Sequence, residues 1–352
     1  MKALVGFLSA LLLSAQAQAE AGWHFLVAGD SRNCGNVVMP TIAAAAHQEH
    51  AAFYWHLGDI RRISQVDEDY AQLHPTATLT EYLNEAWVDF KQSQIAPFMP
   101  TPFMLGIGNH ETVPPKSRAE FVVTFNDWLD SDPLRTQRLK DDPQDHTVRT
   151  YYHWVRDGID FVYLDNATPD DFDAAQVAWL KQVLQRDTHD GDVRAVVVGM
   201  HEALPESIAR GHSMSDFAPG EASGITVYQA LLAVKRSKPV YVLASHSHFV
   251  MQGIFDTPYW RAHGGVLDGW IVGTAGATRY ALPPDARSAK FAKTHVYGYL
   301  LATVAPAGTQ RTDPIHFEFQ EIKEAQTIKA VTAKYGAPFV HECFAGNAQT
   351  AN

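Results

Sequence analysis

Apolar residues along this chain fall into short continuous runs, and several of those runs stop abruptly at polar residues. Trp23 to Ala28 stops at Gly29-Asp30-Ser31-Arg32, and Ala51 to Leu57 stops at Gly58-Asp59. Pro102 to Ile107 stops at Gly108-Asn109-His110-Glu111, and Val193 to Gly199 stops at Met200-His201. Pro239 to Leu243 leads into Ser245-His246-Ser247-His248. Runs of this length predict strands buried on both faces. Thr150 to Trp154 and Ile159 to Leu164 predict a strand pair around Asp157-Gly158, a favourable hairpin dipeptide. Trp270 to Gly273, Tyr297 to Val304 and Ile315 to Ile322 predict three more strands.

Helical patterns lie between the runs. Val37 to His50 tolerates Pro40 in its first turn. Trp87 to Gln94 and Thr226 to Arg236 read as helices, as does Asp173 to Gln185. In the last of these Asp173 caps the helix, Gln176 completes a capping-box pattern, and Val177, Leu180 and Leu184 recur at helical spacing. Thr112 to Arg149 has weak periodicity and predicts an insertion over one rim of the core, with a short helix near Asn126 to Leu129. The tail, 326–352, predicts a short helix and an irregular end. Strands alternating with helices imply an α/β fold with sheets covered on both faces. Ligands in such folds bind beyond the carboxyl ends of strands.

The chain has 352 residues, enough for one large domain or two medium ones. Met1 to Ala19 reads as a secretory signal. Lys2 starts it, Ala3 to Leu13 is its apolar core, and Ala17-Gln18-Ala19 precedes a mature start at Glu20. An uncleaved anchor is the alternative, but a span needs about 20 apolar residues. The expectation is a secreted or periplasmic protein with no membrane association after cleavage. A formal net charge of −11 argues against nucleic acid and anionic membranes as partners and leaves room for a small phosphate. Cys34 and Cys343 are the two cysteines. In an exported chain an even count favours a disulfide, here tying the tail to the loop after the first strand. Two free thiols, or Cys34 as a metal ligand, are the alternatives.

The polar strand ends supply Asp30, Asp59, Asn109 with His110, His201, and His246 with His248. Brought together, two carboxylates, an amide oxygen and imidazoles suit a pair of divalent ions such as manganese, iron or zinc. Alternate residues of a strand point the same way, so His246 and His248 can share one site. Each piece alone has a plainer reading: Gly-Asp as a turn, His201 as a core histidine, Ser245 to His248 as a polar loop.

In this order the segments resemble the motifs of the calcineurin-like metallophosphoesterase superfamily, from Gly29-Asp30 to Ser245-His246-Ser247-His248. Asp165 followed by Gln176, Trp179 and Leu180 resembles another family stretch. The resemblance implies two mixed β-sheets packed as a sandwich flanked by helices, in one domain over 22–325. It implies a two-metal centre in which Asp59 bridges the ions. Asp30 and His248 would hold one ion, and Asn109, His201 and His246 the other. It implies hydrolysis of a small phosphoric monoester or diester by a metal-activated hydroxide. His110 would assist the leaving group, and Glu111 would orient His110 or its loop.

The chain departs from the family at Arg32, where many members carry a histidine ligand. Guanidinium has donors only and cannot ligate. The Asp30/His248 site would then be completed by a substitute such as Asn33, completed by water and weak, or left empty. Arg32 itself would act on the substrate phosphate through paired donors, or would pair with an acidic neighbour. Arg62 replaces a tyrosine typical of the purple acid phosphatase branch, which sets the chain apart from that branch. Ser245 replaces a glycine. His212 reads as a solvated loop residue or as one reaching the site. His24, His56, Trp87, Trp128, Trp154 and Trp179 read as structural, and Asp67, Glu68 and Asp69 as a solvated face. Two other classes compete: a non-catalytic metal- or phosphate-binding protein, and an interaction protein with accidental polar strand ends.

Overall fold

The structure is a computed structural model that describes residues 22–209, 211–309 and 312–347. The expected signal segment, Met1 to Ala19, lies outside the described residues.

Two mixed sheets form the core of the fold. The first has five strands in the order β12-β11-β1-β2-β3. These are β1 (Trp23–Ala28), β2 (Tyr54–His56), β3 (Phe103–Leu105), β11 (Tyr297–Val304) and β12 (Ile315–Ile322). The second has seven strands in the order β10-β8-β9-β7-β6-β5-β4. These are β4 (Tyr152–Arg156), β5 (Ile159–Leu164), β6 (Ala195–Met200), β7 (Val240–Ala244), β8 (Val250–Gln252), β9 (Asp268–Val272) and β10 (Phe291–Lys293). Strands β1, β2 and β3 run parallel, as do β6 and β7, so their carboxyl ends are level within each sheet. The predicted α/β sandwich is the fold observed.

The period-two geometry of strands explains the layering. In β5, Phe161 and Tyr163 face the first sheet and pack with Phe25, Trp55 and Leu105. Their neighbours Val162 and Leu164 face outward, against Leu180 of the helix Ala174–His189 and Val227 and Leu231 of the helix Ala218–Lys235. Both faces are therefore apolar, which is why the runs showed no alternation. Among the described residues no helix is long and apolar enough to cross a membrane.

Several sequence readings change in detail. Asp173 caps its helix by accepting the Gln176 N–H at 2.7 Å. The Gln176 side chain does not complete a box. It clamps the Asp165 backbone, accepting its N–H at 2.7 Å and donating to its carbonyl at 2.8 Å. Residues 112–149 form the helices Arg118–Thr124, Asn126–Leu129 and Asp132–Asp141. They bury Phe121, Phe125, Leu129 and Leu134, with Phe121 and Phe125 packed on Trp87 of the helix Leu79–Phe90. The tail forms two short helices, Lys329–Tyr335 and Ala337–Ala345. Cys34 and Cys343 are disulfide-bonded, inside a small apolar cluster with Val37, Val331, Tyr335 and Val340.

Asp67 and Asp69 are not on a solvated face. Both are fully buried, and Arg61, also fully buried, donates to Asp69 at 2.9 Å and pairs with Asp67 at 3.5 Å. Burying a guanidinium requires this compensation. Asp67 also accepts the Asn33 N–H at 2.6 Å and the Tyr82 hydroxyl at 2.5 Å, which ties the Asp30–Asn33 loop to this ion cluster.

A second buried ion group lies on the outer face of β4. His153 donates from Nδ1 to Asp160 at 2.9 Å and from Nε2 to Asp141 at 2.5 Å. Burial opposes its charge, but the two carboxylates raise its pKa from 6.5 to about 10. A histidine with a raised folded-state pKa contributes stability that is complete below its unfolded value and is lost as pH rises through the folded one. Urea midpoints should therefore fall between about pH 6.5 and 10. His153→Gln should remove that part of the slope, and an unchanged slope would exclude His153 as its source.

Candidate metal centre

The carboxyl ends of five parallel strands carry the predicted residues, and the structure brings all of them together. Asp30 follows β1, Asp59 follows β2, and Asn109 with His110 follows β3. From the second sheet His201 follows β6, and His246 and His248 follow β7. Asp30, Asp59 and His246 have φ of 61°, 60° and 61°. Left-handed backbone at a non-glycine residue costs on the order of 1–3 kcal/mol and persists where the surroundings enforce it. Three such residues in one cluster mark a built site.

Two glycines explain the Gly-Asp and Gly-Asn-His spacing. A side chain at Gly108 would place its Cβ 2.4 Å from Asp59 Oδ1. At Gly58, with φ of +94°, a Cβ would sit 2.6 Å from the Gly108 nitrogen. The β2 and β3 loops touch at this point, and only glycine lets Asp59 lie between them.

One group of ligand atoms comprises Asp59, His201 and His246, all within 4.8 Å of one another. Asn109 Oδ1 joins it, 3.0 Å from His201 Nε2. His201 Nδ1 donates to the Leu57 carbonyl and the Ser245 hydroxyl, both at 3.0 Å, so its Nε2 faces the group. A hydrogen bond of this kind fixes the tautomer that a metal-ligating histidine needs. Ser245 thus replaces the expected glycine with a useful donor and acceptor. His246 is pushed down to about 3 by burial, with His201 adding to the effect, and is a neutral imidazole. Burial also acts against charge on His201, but Asp59 outweighs it and raises the pKa to about 10. A metal ion must displace that proton, so binding is coupled to proton release. Burial acts to raise Asp59, and His201, His110 and Arg32 outweigh it and hold the carboxyl well below its ordinary range.

A second group, Asp30, Asp59 and His248, meets the same distance criterion. His248 Nδ1 donates to the Thr278 carbonyl at 2.5 Å, and its Nε2 lies 3.2 Å from Asp30 Oδ1. Arg32 stands against this group. Its Nη2 donates to His248 Nε2 at 2.8 Å, its Nη1 contacts His110 Nε2, and its Nε is 3.6 Å from Asp59 Oδ2. Asn33 is not a substitute ligand. Its amide oxygen accepts the Thr278 N–H at 3.2 Å, and its amide nitrogen donates to Glu68 at 2.7 Å.

The cluster as a whole calls for positive charge between its carboxylates. Asp59 Oδ2 and Asp30 Oδ1 are buried without a hydrogen-bond partner among the described residues. Such atoms carry a full desolvation cost unless a cation meets them. The first group adds amide and imidazole donors suited to manganese, iron or zinc.

His110 is not among the converging ligand atoms. Its Nδ1 donates to the Arg62 carbonyl at 2.6 Å, which turns Nε2 towards Arg32 and Asp59. Glu111 orients the loops, as expected. It accepts the N–H groups of Gly108 at 2.7 Å, Asp59 at 2.8 Å and Ile60 at 3.0 Å. His56 bonds Ser31 at 2.9 Å and His24 faces Thr303 at 3.1 Å, both structural roles. His212 is exposed, yet its ring lies 5.4 Å from that of His246 and stacks on Tyr280. Tyr280 in turn stacks on His248 at 3.9 Å. Sequence reasoning missed Tyr280, which lies in a loop and belongs to no motif.

Two mixed sheets with polar loops at their joined carboxyl ends give this chain the metallophosphoesterase fold. Solved structures of that class are similar to it. A purple acid phosphatase from yellow lupin (Lupinus luteus) seeds aligns with a TM-score of 0.56 at 14% identity, over 85% of this chain and 51% of that one. A dimetal phosphatase from Danio rerio aligns with a TM-score of 0.52 at 13% identity, over 86% and 97% of the two chains. PhoD aligns with a TM-score of 0.51 at 14% identity, over 92% and 76%. The chain spans about half the length of the lupin phosphatase. At these identities the likeness is one of fold. No protein-family model matches the sequence, and no curated protein matches it.

Proposed function

We propose that the protein is an exported, metal-dependent hydrolase of small phosphoric esters. The observation that carries this reading is the convergence of Asp59, Asn109, His201 and His246 beside Arg32 and His110. An ion-binding group thus adjoins a cation and an imidazole that can act on an ester. A divalent ion held by those four residues would supply Lewis acidity to a phosphoryl oxygen and to water. Arg32 would place its fixed positive charge beside the phosphoryl group. His110, held at Nδ1 by the Arg62 carbonyl, would assist the leaving oxygen when protonated at Nε2. Glu111 would keep the Asp59 and Asn109 loops in register. His212 and Tyr280 would form one wall for the organic part of the substrate.

Export is supported by the Met1 to Ala19 pattern and by the Cys34–Cys343 disulfide, since such bonds persist in oxidising compartments. The net charge of −11 supports a small phosphorylated substrate over a nucleic acid.

A non-catalytic metal- or phosphate-binding protein is the second reading. It is favoured by Arg32 engaging both His110 and His248. One experiment separates the two. The chain from Glu20, loaded with manganese, iron or zinc, is assayed on a nitrophenyl phosphate and a bis-nitrophenyl phosphate. Metal-dependent release of nitrophenol supports the hydrolase. Saturable metal or phosphate binding without turnover on either ester supports the second reading.

A further inference from the structure

We propose that the Arg32 guanidinium is the resident cation on the Asp30–His248 side of the centre, so that the chain holds one divalent ion rather than two. The inference rests on reading the cluster as a metal-dependent site, and it concerns how that site is filled.

The first argument is the direction of the lone pairs. His248 Nδ1 and His110 Nδ1 both donate to backbone carbonyls, of Thr278 at 2.5 Å and of Arg62 at 2.6 Å. Both Nε2 atoms are therefore acceptors, and both meet Arg32. Asp59 Oδ2 faces the same guanidinium at 3.6 Å, and Asp30 Oδ1 lies 3.2 Å from His248 Nε2. Two imidazole lone pairs and the Asp59 carboxylate face one positive group, with Asp30 behind His248, much as they would face a metal ion. The His248 atom that would bind an ion is the atom that accepts from Arg32. A guanidinium supplies donors and charge but cannot share that atom with a metal.

The second argument is that Arg32 is held where it is. It is 7% exposed. On one side Ser31 donates its N–H to the Asp59 carbonyl at 3.0 Å. On the other, Asn33 sits at φ of 67° with its backbone N–H on Asp67 and its side chain between Glu68 and Thr278. Cys34 follows directly and is bonded to Cys343. A loop pinned at both neighbours gives its side chain little freedom to withdraw. Charge also balances better this way. Asp30 and Asp59 are the two carboxylates, and one guanidinium with one divalent ion opposes them with less excess charge than two ions would.

The test is metal stoichiometry, read by elemental analysis after equilibration with excess manganese or zinc and removal of free metal. The expected values are one ion per chain in the natural protein, two in Arg32→His, and one in His248→Ala. Two ions in the natural protein, falling to one in His248→Ala, would overturn the proposal. So would an unchanged single ion in a folded Arg32→His. If Arg32→His does not fold, the natural protein and His248→Ala still decide. Turnover is scored separately. One ion without turnover counts against the hydrolase and leaves this inference standing, whereas two ions with turnover does the reverse.

Discussion

Asp59→Asn is expected to leave purification without stoichiometric metal and to hydrolyse phosphoesters at least about 100-fold more slowly than the parent. Losing a mere outer partner of a metal ligand already costs about 10–100-fold, and Asp59 reaches into both ligand groups. Its Oδ1 lies 3.3 Å from His201 Nε2 and accepts the His110 N–H at 3.0 Å. Its Oδ2 is the buried, unpartnered atom facing Arg32. The amide keeps the shape and removes the charge. Asparagine also tolerates the left-handed backbone that residue 59 adopts, so the loop should keep its course. Circular dichroism and the melting temperature serve as controls for folding. Unchanged metal content and unchanged turnover in a folded variant would remove Asp59 from the centre.

Breaking the Cys34–Cys343 bond is expected to cost about 2–5 kcal/mol of stability. The bond joins residues 309 apart in sequence. In the chain-entropy account a loop of that length confers more than the ~4.7 kcal/mol of a 100-residue loop. The lower range is expected because Val37, Val331, Tyr335 and Val340 still pack the tail when the bond is gone. Cys343→Ser, or the natural chain under reductant, should unfold at a clearly lower denaturant midpoint. Metal affinity should fall with it, because Cys34 anchors the loop that carries Asp30 and Arg32. Coincident midpoints would show that the tail is held by packing alone.

The converging polar residues were legible because their signal is local: an apolar run, often a glycine, then a polar residue aimed at solvent or a ligand. Gly58 and Gly108 carry that signal for a steric reason the sequence could express. The α/β class followed from the same runs. Other features depend on contacts between distant residues, which no local pattern encodes. Asp67 and Asp69, either side of an exposed Glu68, read as solvated until Arg61 is seen buried against them. The Thr278 and Arg62 carbonyls that set the tautomers of His248 and His110 belong to unremarkable loops. Strands β8 and β10 are three residues each, too short to show a period. Gln176 matched a capping pattern and was diverted to Asp165, because an exposed helix end has water available and a buried strand end does not.

The place of β1 in its sheet sets an order on the making of this protein. β1 lies between β2 and β11, and its first pair joins Trp23 to Val304. On the ribosome the first strand is complete long before its antiparallel neighbour exists. At about 5–20 residues per second the wait is on the order of ten seconds to a minute. During it the carboxylates Asp30 and Asp59 are already made, while His201, His246 and His248 arrive later, one strand at a time. The acidic half of the cluster therefore precedes the imidazole half, and the cluster is complete only once residue 248 has been added.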